Sequence, residues 1–249
     1  MRESLSRTAT LTRRNLKEIL RDPISLIFML AMPLAMELVF YFLFHKMTAQ
    51  FEMKYLAPGI VVFAQAFLAL FSGLLIAADR STAFLTRLYV SRAKPAEFIF
   101  GYAFAMLPIA FAQAVLFFAV GGVIEPSLFS LGMLWALLLS PVTALLFIGL
   151  GILIGSLCGE RAVGGVASIA IAGQSLLSGM WYPQEGLGAG MLTVMKCLPF
   201  KNATDLINHA LNGFGDAFGE FWLPLIITLA YAAVAIFAAV LAFRRNMKA

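Results

Sequence analysis

The sequence predicts an all-α integral membrane protein with six transmembrane helices, an N-terminal interfacial helix and re-entrant outer helices between spans 5 and 6. Three observations predict it. First, 61% of the 249 residues are hydrophobic and 12% are charged, with a mean hydropathy of +0.91. A soluble domain carries about 25% charged residues, and one core of this length could not hide so much apolar surface. Second, the apolar residues are gathered into six segments, each long enough to cross about 30 Å of hydrocarbon. Third, lysine and arginine crowd one side of those segments. The same composition excludes disordered, collagen-like and disulfide-scaffold chains.

The chain reads as a single transmembrane domain over 1–249. Residues 1–22 read as an interfacial elbow. Leu5, Ala9, Thr12, Leu16, Ile19 and Leu20 share one helical face, while Arg7, Arg14, Lys17 and Arg21 share another. Such a helix lies in the interface with its cations towards anionic headgroups. Leu11 falls off the apolar stripe, and Pro23 ends the helix. The spans follow at 24–44, 57–78, 98–124, 128–157, 163–180 and 221–243. In lipid each must be helical, because only a helix satisfies its own backbone. The first is too long for a signal-peptide core and no small-x-small cleavage site follows it, so it is expected to be retained.

Fourteen of the 18 lysines and arginines lie before span 1, between spans 2 and 3, between spans 4 and 5, or after span 6. Lys46, Lys54, Lys196 and Lys201 are on the other side. Both termini are therefore expected in the cytoplasm. The net charge of +5 is then explained by topology, and nucleic-acid binding is not needed. Cys158 and Cys197 fall on opposite sides and are not expected to pair.

The outer loop at 181–220 stays half apolar through Leu187, Met191, Leu192, Val194, Met195, Leu198 and Phe200. It is expected to dip back into the outer leaflet under the protection of protein. Asn202 or Thr204 is the expected cap of a short helix through Leu211, stopped by Asn212-Gly213.

No phosphate-cradling G-x-x-x-x-G-K-[ST], no H-E-x-x-H and no C-x-x-C occurs. His45 and His209 both map to the outer side with no carboxylate cluster. Gly173-Gln174-Ser175 would need a base at its own depth to act as a nucleophile, and neither histidine is there. No catalytic residue and no metal ligand is expected in this chain.

A few residues stand out within the apolar background. Glu37 is the one charged residue well inside a span, where a carboxylate needs a partner, a cavity or an interface. It fits a substrate path or gate, or a structural hydrogen bond. Gln65, Gln113 and Gln174 either line a route or bond across helices. Gly151, Gly155 and Gly159 form one small-residue ladder, and Gly164, Ser168 and Ala172 form another. Either ladder serves packing inside the subunit or contact with a second one.

Three stretches together resemble the membrane subunit of the ABC-2 family of ABC exporters, with the daunorubicin-resistance type of permease as the nearest branch. The first is Arg13-Arg14-Asn15-Leu16-Lys17 through Arg21-Asp22-Pro23, then Pro33. The second is Asp79-Arg80-Ser81 through Phe84-Leu85-Thr86-Arg87-Leu88 and on to Gly101. The third is Leu177-Ser178-Gly179-Met180-Trp181-Tyr182-Pro183, followed by Leu198-Pro199-Phe200. The sequence departs from that family at Ala83-Phe84, where Gly-Thr is frequent, and at Arg92, where Pro is. Ala96-Glu97, Gly101 and Leu107-Pro108 echo an importer loop, but the spacing from Gly to Leu-Pro is too short for one.

The resemblance implies a type V exporter-like fold and a division of labour. The coupling loop at 79–97, through Asp79, Arg80, Phe84, Leu85, Arg87, Leu88 and Arg92, would press on a separate ABC ATPase present in two copies, which holds the ATP and magnesium. A second permease subunit, alike or different, would meet spans 1 and 5, bringing Gly164, Ser168 and Ala172 to a dimer interface. The substrate would be amphipathic, a drug, lipid, peptide or polyketide, leaving a bacterial cytoplasm across the cell membrane. The competing expectation is a non-transporting membrane sensor or assembly scaffold coupled to an ATPase.

Overall fold

The computed structural model describes residues 2–82, 94–215 and 217–246, and among them every regular element is helical. An amphipathic helix α1 (Arg2–Leu20) leads into α2 (Pro23–Phe44). Long helices α3 (Met53–Ser81), α4 (Pro95–Ile124) and α5 (Leu131–Leu157) follow, then α6 (Glu160–Leu177). Two short helices, α7 (Ala189–Cys197) and α8 (Pro199–Asn212), precede a π-helical segment at Ala217–Trp222 and the last helix α9 (Leu223–Asn246).

Local chemistry sets these boundaries. Asp22 caps α2, accepting from the Ser25 amide at 3.1 Å and the Ser25 hydroxyl at 2.5 Å, with Pro23 in the first turn where its missing N–H is harmless. The Ser25 hydroxyl bond, then the amide bond, hold the Asp22 carboxyl below its usual range. Gly213 ends α8 at φ 100°, a conformation that suits glycine, and its amide reaches the His209 carbonyl at 2.9 Å.

The start of α8 differs from the expected cap. The helix begins at Pro199, and Asn202 instead turns its amide back to the Leu198 and Lys196 carbonyls at 2.7 and 2.8 Å. Thr204, the other expected cap, is buried and accepts a bond from Gln174.

Among the described residues, five helices are long and apolar enough to cross a bilayer: α2, α3, α4, α5 and the helix over Gly219–Arg245 that takes in most of α9. α6, expected as a sixth, spans 18 residues and carries Glu160, Arg161 and Gln174, which lower its mean hydropathy. α3 is the central post. It packs against α2, α4, α5, α6 and α8, and 78% of its most apolar stretch is buried. The corresponding share for α2 is 17%, so α2 turns most of its surface outward.

Small residues seat α5 on α3. A Cβ on Gly151 would strike the Ala69 backbone and the Ser72 hydroxyl, and one on Gly155 would strike the backbone of Gly73. The first ladder is thus internal packing. Gly159 is not part of it, lying at the cap of α6 with open space around its Cα.

Candidate coupling and translocation surfaces

Of the residues expected to couple to an ATPase, Phe84, Leu85, Arg87, Leu88 and Arg92 lie outside the described residues. Asp79 and Arg80, at the end of α3, are described, and both grip this chain's own helices. Asp79 is 4% exposed and receives both guanidinium branches of Arg14 on α1, one at 2.7 Å from Nη2 to Oδ1 and the other from Nη1 to Oδ2. The Tyr102 hydroxyl of α4 donates to Asp79 Oδ2 at 2.5 Å. Arg80 donates to the carbonyls of Gly155 and Ser156 at 2.8 and 2.7 Å, satisfying the end of α5 where the helix dipole favours a cation.

A second pair sits beside the first. Arg7 holds Glu97, at the start of α4, through Nε at 2.9 Å and Nη2 at 3.1 Å. Glu97 also accepts the Lys94 amide at 3.2 Å. Bidentate arginine–carboxylate pairs combine geometric specificity with strength. α1 is therefore tied to the last turn of α3 and the first turn of α4, the two stems of the segment 83–93.

This corrects the expected orientation of α1. Arg7 and Arg14 do not face headgroups, because their counter-charges are on α3 and α4. Leu11, off the apolar stripe, lies on the protein-facing side, close enough to Gly101 that a Cβ there would sit 2.8 Å from the Leu11 Cβ. Leu5 and Leu20 point outward, as do Arg13, Lys17 and Arg21. The helix thus has a docked face, an open apolar face and an open cationic face.

Glu37 is fully buried, and neither carboxylate oxygen has a hydrogen-bond partner among the described residues. It lies where α2 meets α4 and α3, within 3.4 Å of the space above Gly121 that a Cβ would occupy, with Ala57 and Leu128 bordering the same space. Gln65 donates to the Ser140 carbonyl at 2.9 Å, Gln113 to the Met29 carbonyl at 3.1 Å and Gln174 to the Thr204 hydroxyl at 2.8 Å. Each glutamine bonds a different pair of helices and leaves its own carbonyl oxygen unpaired among the described residues.

The second small-residue ladder behaves unlike the first. Nothing lies within 4 Å of a Cβ placed on Gly164, and Ser168 and Ala172 are exposed. Among the described residues, no other part of the chain covers this side of α6.

The end of the bundle that holds Gly179 and Trp181 is closed by contacts that sequence spacing does not signal. Gln50 donates to the Gly179 and Met180 carbonyls, each at 3.1 Å, across a glycine at φ 75°. Trp181 bonds the Ser175 hydroxyl at 3.0 Å and packs on Phe40 with ring centroids 4.4 Å apart. Lys201, counted as a loop charge, is buried against Asp205 at 2.8 Å. Tyr102 was also missed, although a tyrosine hydroxyl in an apolar stretch signals a buried acceptor.

An apolar helical bundle with several helices long and apolar enough to cross a bilayer defines a multi-pass membrane subunit. The family model described as ABC-2 type transporter matches residues 6–212. The chain belongs to that family, and as such is the permease subunit of an ABC exporter whose partner is an ABC ATPase subunit. No curated protein matches the sequence.

Proposed function

We propose that this permease moves an amphipathic substrate out of the cytoplasm of a bacterium, as half of a membrane unit powered by two ATPase subunits that hold ATP and magnesium. Both termini face the cytoplasm in this reading, α6 is the sixth span, and α7 and α8 re-enter from the outside.

The observation that carries the reading is the double tie of α1 to both stems of the segment 83–93. A thrust delivered between those stems cannot move one helix alone. It moves α1, α3 and α4 together, which suits switching between inward-open and outward-open packings. Gln65 and Gln174 brace neighbouring helices, and Glu37 is the gate group that gains a partner when α2 shifts. With the co-purified ATPase, Arg87→Glu combined with Leu88→Asp is expected to abolish substrate-stimulated ATP hydrolysis and export in proteoliposomes. Unchanged hydrolysis and export would remove the coupling assignment.

The open face of α6 supports the second half of the proposal, pairing with another permease subunit. A tryptophan at Ser168 is expected to shift the purified protein to the monomer in mass photometry. An unaltered dimer would place the interface elsewhere.

A further inference from the structure

Pro33 interrupts α2 in mid-span. It has no amide hydrogen, so the Met29 carbonyl, one turn earlier, receives no bond from its own helix at that rung. Met29 is 1% exposed, so water does not supply the missing donor. Gln113 of α4 does, donating from Nε2 to the Met29 carbonyl at 3.1 Å. A neighbouring helix thus stands in for the absent N–H. The same replacement occurs at Pro58 of α3, whose freed Lys54 carbonyl accepts from Asn212 of α8 at 2.8 Å. At Pro141 of α5 the freed Leu137 carbonyl takes the Ser140 hydroxyl at 2.9 Å, from the same helix. A donor on the same helix repairs that helix alone. A donor on another helix ties two together.

The position of the Gln113 tie matters. α2 buries a narrow stripe of Met29, Pro33 and Glu37, one turn apart from each other. Gln113 grips the first of these. Further along both helices, about 12 Å away, Glu37 faces Gly121 of α4, with Oε1 3.4 Å from where a Cβ would stand. That second contact carries no hydrogen bond, because both Glu37 oxygens are unpaired among the described residues. Among those residues Gln113 makes the one hydrogen bond between α2 and another helix. Beyond Pro33, Phe40 packs its ring on Trp181 and Phe51, with centroids 4.4 and 5.5 Å apart. Ring contacts tolerate sliding, whereas a directional bond to a backbone carbonyl fixes register.

We propose that Gln113 is the positioning residue that passes movement of α4 to α2, and that Pro33 is the hinge. α4 rises directly from the segment 83–93. Displacing it pulls the near half of α2 through Met29. The open rung at Pro33 lets residues 34–44 turn separately, which carries Glu37 away from Gly121. The inference rests on the coupling reading, and it names the residue through which the thrust reaches the gate group.

The test is a double-substitution cycle followed by a distance measurement. Gln113→Leu leaves the Met29 carbonyl without a donor and is expected to lower the melting temperature of the full chain in detergent by about 2–4 °C. Pro33→Ala returns an amide to that carbonyl, so in its background Gln113→Leu is expected to cause little further change. Equal shifts in both backgrounds would overturn the latch. Transmission is read in the complex with the ATPase, with spin labels at Leu43→Cys of α2 and Ile226→Cys of α9 and with Cys158 and Cys197 replaced by alanine. Both labelled positions are exposed, and α9 packs on α5 and α8, which makes it the reference. Trapping with ATP and vanadate is expected to shift the label distance, and Gln113→Leu to abolish that shift. Asn212→Leu, which breaks the equivalent bond at Pro58 without touching α4, is expected to keep it. A shift that survives Gln113→Leu, or none in the otherwise native chain, would overturn the transmission role. The Arg87 and Leu88 variants read hydrolysis and export instead, so failure of the coupling reading is distinct from failure here.

Discussion

Asp79→Ala is expected to destabilise the folded subunit by about 3–5 kcal/mol, the range for removing one partner of a buried ion pair. The carboxylate side chain is 5% exposed and Arg14 is 31% exposed, so solvent reaches the cation in part and the lower end of the range is expected. The Tyr102 hydroxyl loses its acceptor, and the Arg14 guanidinium loses its buried one while keeping Glu18 and Asn15. Tyr102→Phe removes only the hydroxyl bond and is expected to cost about 1.5–3 kcal/mol, as for a bond to a charged group. Pairing Arg14→Met with Asp79→Leu removes both charges and is expected to restore much of the loss, because a buried pair often does no better than apolar residues of similar volume. Thermal unfolding of the four variants in detergent forms the cycle. An Asp79→Ala protein that melts with the wild type would show that the pair is not holding α1 to α3.

Gly155→Val is expected to have the second large effect. Its side chain would enter the space of the Gly73 backbone, where no flexible side-chain tip can move aside. α5 and α3 would have to separate along their seam. Overpacking of this kind costs about 1–3 kcal/mol, and more when backbone must shift. Gly164→Val is the matched control, since nothing lies within 4 Å of the added Cβ. The expected result is a lowered melting temperature and aggregation for Gly155→Val, with the isolated Gly164→Val subunit melting normally. Equal melting of Gly155→Val and wild type would mean that the two backbones are not in contact.

The two ladders also mark how far the sequence could be read. Both have the same small-residue spacing, and spacing says that a close approach is possible without naming the neighbour. Gly151 and Gly155 meet α3, while among the described residues nothing lies within 4 Å of a Cβ on Gly164, and Ser168 and Ala172 are exposed. The apolar spans and the family were legible because lipid imposes length and apolar content directly on the sequence. α6 was harder, since its small and polar residues dilute that signal.

The elbow was misread for a different reason. A helical wheel shows which residues share a face but not what lies opposite. The counter-charges Asp79 and Glu97 are distant in sequence, so Arg7 and Arg14 looked like headgroup ligands. Leu11 was the local clue, an apolar residue among cations that had to be covered by protein. Asn202 and Thr204 illustrate a similar ambiguity: short polar side chains can cap a helix, and these two instead close bonds to Leu198 and Gln174.

The enclosed position of α3 has a consequence for biogenesis. In the finished subunit this helix is nearly cut off from lipid, yet during synthesis it leaves the insertion machinery before α4, α5, α6 and α8 exist to surround it. It must therefore be acceptable to bare bilayer as an isolated segment, which its mean hydropathy of 2.4 allows. Gln65 and Ser72 are what it can carry through that interval: polar enough to bond α5 later through the Ser140 and Ile148 carbonyls, and uncharged, so that waiting in hydrocarbon is tolerable. The late-arriving helices then assemble around a post already standing in the membrane.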